Sequence, residues 1–63
     1  MQGANKMTTT EAVETLVNGN ISDFKAWVKR SSKLKLLEAI EVASTYGIKR
    51  HTFINKMRRI LEN

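Results

Sequence analysis

Apolar residues recur along this chain at three- and four-residue spacing, the period of a helix, and no stretch alternates as a strand would. Ala12, Val13, Leu16 and Val17 make one such face, and Phe24, Trp27 and Val28 a second. Between 33 and 46 the apolar set is wide: Leu34, Leu36, Leu37, Ala39, Ile40, Val42 and Ala43. Phe53, Ile54, Met57, Ile60 and Leu61 form a clean final stripe. The pattern predicts an all-α protein, a small bundle of three to four short helices. The over-wide third stripe marks a central helix, or one that also covers itself against a second subunit.

Local signals place the boundaries. Thr8 and Glu11 have capping-box spacing, and Gly19 stands where a left-handed residue would stop a helix over 9–18. Ser22 is the expected cap of the second helix, with Asp23 favourable beside its positive end. Ser31-Ser32 either breaks the chain or lies on a continuous helix; the break is preferred, although Lys33 and Lys35 would then oppose the macrodipole. Gly47 ends the third helix because glycine reaches positive φ without steric cost, and the fourth spans about 49–61. No low-complexity segment or internal repeat is apparent. Residues 1–7 are expected to be a disordered extension, with Met7 a plausible second start, and 8–63 a single helical domain.

Composition narrows the chemistry. At 63 residues the chain is one small domain, burying only about 60% of its unfolded surface, so economical packing or oligomerisation must stabilise it. With no cysteine and one histidine there is no disulfide, thiol nucleophile or sulfur-ligated metal site. No phosphate-cradling glycine loop or zinc-binding helix motif occurs. Glu38 and Glu41 read as solvated carboxylates, and His51 as a surface residue or a phosphate contact. An enzyme is not expected, nor any metal or cofactor. No run approaches the ~18 apolar residues of a membrane span, and no apolar signal segment is visible, so a cytoplasmic setting is expected. Phe24, Trp27 and Phe53 could stack on bases, but their places on apolar stripes favour the core.

Charge adds a partner class. The net charge is +5, concentrated in two blocks. Lys25, Lys29, Arg30, Lys33 and Lys35 form the first; Lys49, Arg50, Lys56, Arg58 and Arg59 form the second. Glu38 and Glu41 lie between them. Such a footprint suits a polyanion, although a solvated basic surface accounts for charge alone.

From 36 to 60 the chain resembles the helix-turn-helix family of DNA-binding proteins. The resemblance rests on Ala43 where two helices cross, Gly47 in the turn, Ile48 plugging it and Phe53 seating the second helix. It implies that this second helix enters a major groove, with Lys49, Arg50, His51, Asn55 and Arg58 on its reading side. Arginine can pair with a guanine edge and asparagine with adenine. Lys56 departs from the family pattern, which usually buries an apolar residue three places after the Phe53 position.

Three expectations follow. The first is a small basic regulatory protein that binds nucleic acid, most naturally DNA, through Lys49, Arg50, His51, Asn55, Arg58 and Arg59, with Lys25, Lys29 and Arg30 positioning the backbone. Size and charge are of a kind often seen in phages and mobile elements. The alternative is a helical protein-interaction module, dimeric through the third helix, modulating a larger host or phage protein. Ranked last is a basic amphipathic helix at 49–61 lying on a membrane surface.

Overall fold

In a computed structural model that describes residues 7–62, the chain is an all-α bundle of helices joined by short turns. The helices are α1 (Thr9–Val17), α2 (Ile21–Arg30), α3 (Lys33–Thr45) and α4 (Arg50–Glu62), and no strand occurs among the described residues. Of the extension expected at 1–7, Met7 instead packs against the core; the remainder lies outside the described residues.

Each boundary has a local cause. The Thr8 hydroxyl accepts from the Glu11 amide at 3.1 Å, while Glu11 Oε1 accepts from the Thr8 amide at 2.9 Å, a closed capping box. At the other end Gly19, at φ +86°, donates to the Leu16 carbonyl, and the Asn20 amide donates to that of Thr15. This is a Schellman stop. Asn20, not Ser22, then caps α2: its Oδ1 accepts from the Asp23 amide and its Nδ2 donates to the Asp23 carboxylate. Ser22 is bypassed because the stop of α1 already sets Asn20 at the head of the next helix.

The break at Ser31-Ser32 is present, with both residues extended. Ser31 donates to the Trp27 carbonyl at 2.6 Å, and Ser32 accepts from the Lys35 amide. That cap starts α3 despite the two lysines in its first turn. A second Schellman stop follows: Gly47, at φ +84°, donates to the Ser44 carbonyl, and the Ile48 amide to that of Ala43. Here the residue after the glycine is apolar, and Ile48 packs against the core.

The core gathers Ala12, Val13, Phe24, Trp27, Val28, Ala39, Ile40, Ala43, Phe53, Met57 and Ile60. α1 packs against α2 and α3, and α4 against the same two helices. Phe24 and Phe53, both fully buried, meet edge to face with centroids 5.7 Å apart, and Trp27 stacks beside Phe24 at 6.4 Å. The radius of gyration, 10.8 Å, matches the roughly 10.6 Å expected of an independent domain this long.

Three expected core faces are partly uncovered. Val17 is half exposed, as is Leu61 at the end of α4. On α3, Leu34 is 73% exposed and Leu37 47%. At about 100° per residue Leu34 falls opposite the buried side formed by Ala39, Ile40 and Ala43, so no neighbouring helix reaches it.

The packing also shows a repeat that the sequence does not display at a fixed period. Glu11-Ala12-Val13-Glu14, Gly19, Phe24 and Val28-Lys29-Arg30 return as Glu38-Ala39-Ile40-Glu41, Gly47, Phe53 and Met57-Arg58-Arg59. One extra residue before the glycine and another after it disguise the match. Ala12 and Ala39, Val13 and Ile40, Phe24 and Phe53, and Val28 and Met57 are all buried. Each half is thus helix, Schellman glycine, helix, and equivalent helices pack against each other.

Phe53→Ala is expected to cost about 3–5 kcal/mol in urea unfolding, a large share of what so short a domain holds. A loss below about 1 kcal/mol would show that the ring contact is peripheral.

The Tyr46 hydroxyl donates to the Glu14 carboxylate at 2.8 Å, tying the end of α3 to α1. That hydrogen bond, with lesser desolvation and the nearby negative charge, raises the tyrosine pKa above its ordinary 10.0. Its contribution to stability is therefore complete below pH 10 and is lost as pH rises through the raised value. Thermal melts from neutral to strongly alkaline pH should show a steeper loss for the wild type than for Tyr46→Phe; parallel curves would remove the linkage.

Candidate nucleic-acid interface

The buried stripe of α4 fixes which of its polar residues face outward. With Phe53, Met57 and Ile60 turned into the core, His51, Thr52, Asn55, Lys56, Arg58, Arg59 and Glu62 stand exposed on the remaining surface. On α2, burial of Phe24, Trp27 and Val28 likewise leaves Lys25, Lys29 and Arg30 exposed. α2 packs beside α4, which brings Lys25 of the first basic block to Lys56, Arg58 and Arg59 of the second.

Between them runs an open groove of about 680 Å³. Ile21 and Lys25 line it from α2; Thr52, Asn55, Lys56, Arg58, Arg59, Ile60 and Glu62 line it from α4. Four cations therefore face one carboxylate, over a floor that includes two isoleucines. Thr52 and Asn55 add neutral hydrogen-bonding groups. At a rise of about 1.5 Å per residue, Thr52 to Arg59 covers roughly 10 Å, or about three nucleotide rises of a duplex strand.

Of the residues expected at a nucleic-acid site, Lys25, Asn55, Arg58 and Arg59 are brought together in this groove. Lys29, Arg30, Lys49, Arg50 and His51 are exposed but do not line it. Arg50 lies 3.7 Å from Glu41, an ion pair between two well-exposed side chains that adds little stability. The groove also takes in Ile21, Thr52, Lys56, Ile60 and Glu62, none of them expected at the site. Lys56 had a visible signal, a lone cation at an otherwise apolar helical position; Ile21 had none, because only the tertiary fold carries it to α4.

The rings of Phe24, Trp27 and Phe53 take no part. Phe24 and Phe53 are fully buried and Trp27 nearly so, which leaves the groove without a stacking platform. The stripe of α4 is equally committed: Phe53, Met57 and Ile60 are core residues and are not free to enter a lipid surface. No helix among the described residues is long and apolar enough to cross a membrane. Nor does any group of three or more His, Asp or Glu among them have the geometry to hold a metal ion.

A second groove, of about 620 Å³, lies between the start of α1 and α3 and is lined by Met7, Thr8, Thr9, Thr10, Lys35, Glu38 and Val42. Its one cation and one carboxylate balance. The Glu38 carboxylate already accepts from the buried Thr9 hydroxyl at 2.9 Å, so the groove favours no class of ligand.

Comparison with known protein families, curated proteins and solved structures finds no match to this chain.

Proposed function

We propose that this protein is a small nucleic-acid-binding regulator that acts without catalysis and takes DNA as its partner. The observation that carries this reading is the α2–α4 groove, where Lys25 joins Lys56, Arg58 and Arg59 from a distant part of the chain. Clustered cations neutralise phosphates and release counterions, which gives affinity without sequence information. The buried rings leave backbone contact as the main source of binding energy.

Specificity, on this reading, comes from α3, the Gly47 turn and α4 acting as a helix-turn-helix. Ala43 is buried, Gly47 holds the left-handed turn, Ile48 packs beneath it and Phe53 seats α4. His51, Asn55 and Arg58 share the side of α4 turned away from the core, where Asn55 could address adenine and Arg58 guanine. Lys29, Arg30, Lys49 and Arg50 then position the flanking backbone.

A second reading, a protein-interaction module dimeric through α3, is favoured by one observation: the exposure of Leu34 and Leu37 on the outer side of that helix.

Random-sequence duplex DNA, titrated with salt, is expected to bind at micromolar strength in dilute buffer. Four neutralised phosphates imply a log–log slope of about −3.6. Charge reversal of Arg58 and Arg59 together should abolish that binding. Absence of wild-type binding at low salt would end the proposal. For the second reading, sedimentation equilibrium should show a dimer that Leu34→Glu converts to monomer. A wild-type monomer at high micromolar concentration would exclude the dimer.

A further inference from the structure

We infer that the α2–α4 groove is the seat of a phosphodiester backbone, and that Lys56 both opens it and supplies its central cation. This rests on the nucleic-acid reading and deepens it.

Phe24 and Phe53 are equivalent, both fully buried and in contact with each other. Three residues beyond each, at the same helical angle, the halves diverge. The first half has Trp27, 4% exposed and stacked on Phe24; the second has Lys56, exposed in the groove. The next equivalent positions agree again, Val28 with Met57, Lys29 with Arg58 and Arg30 with Arg59. Where one half fills the flank of its second helix with an indole, the other leaves space and sets a charge in it.

A cation there costs apolar burial that the fold could have had. The reverse exchange occurs one residue after each phenylalanine, Lys25 against the partly buried Ile54, and it sets a second cation on the α2 side of the same groove, so that both exchanges put positive charge where an anion lying there would meet it. The remaining lining fits that occupant. Lys25 faces the groove from α2, Arg59 extends it along α4, and the Thr52 hydroxyl can bond a phosphate oxygen. Ile21 and Ile60 offer apolar contact to the sugars.

The full chain, Lys56→Trp and Lys56→Gln should be compared by thermal melting and by binding to a random-sequence duplex in dilute salt. Lys56→Trp is expected to fill the groove, hold or raise the melting temperature by a few degrees, and weaken DNA binding by at least about tenfold. Lys56→Gln should weaken binding less and reduce the salt slope by about one, the share of one phosphate contact. A folded Lys56→Trp that binds as well as wild type would overturn the inference while leaving DNA binding itself intact. If Lys56→Trp fails to fold, an unchanged affinity and salt slope in Lys56→Gln would overturn it equally. Wild type that binds no duplex would sink the underlying reading instead. Polyglutamate displacing DNA at equal charge concentration would overturn the phosphodiester assignment in favour of an acidic protein partner.

Discussion

Phe24 and Phe53 meet edge to face at 5.7 Å in the middle of the protein, and the rest of the structure is arranged around that contact. Each ring belongs to the second helix of a helix–glycine–helix unit, so their meeting joins the two halves. Val28 and Met57 lie one turn farther along, and both are buried. Ala12 and Ala39 bury small side chains on the first helices, which also pack together. Since the rings commit one face of α2 and one of α4 to the interior, the cations of both helices have only the outer faces left. The basic groove is therefore a by-product of the aromatic contact as much as of the charges themselves.

Signals acting within one turn of helix could be read before folding. The Thr8–Glu11 capping box, the two glycine stops and the serine break each depend on groups a few residues apart, and each is present. The cap of α2 was harder to assign. Ser22 and Asn20 both satisfy the local preference, and only the stop of α1 decides between them by placing Asn20 at the head of the helix. The third stripe was harder still. Its leucines share one chemistry, but whether Leu34 or Leu36 is covered depends on where α1 and α4 lie, which periodicity along one helix does not contain.

The candidate site divides in the same way. Asn55, Arg58 and Arg59 were legible because a clean apolar stripe on α4 fixes its opposite face. Lys25 was legible as a cation, but its partnership with α4 was not, since the two are separated by the whole of α3. The repeat is masked in the sequence because two single-residue insertions shift its register around Gly47. Burial restores the alignment: Ala12 and Ala39, Val13 and Ile40, Phe24 and Phe53, and Val28 and Met57 go inside together, while Trp27 and Lys56 show the sharpest difference in burial between the halves.

Ser31-Ser32 gains a meaning from this symmetry. Two helix pairs this small, as separate chains, would have to find each other at the concentration the cell supplies, and their association would weaken on dilution. A two-residue tether replaces that encounter with an intramolecular one at an effective concentration in the millimolar range. The same short connection lets the halves drift apart in sequence, because neither has to recognise a copy of itself. Covalent linkage thus frees one half to keep an indole in the core while the other carries a lysine at its surface.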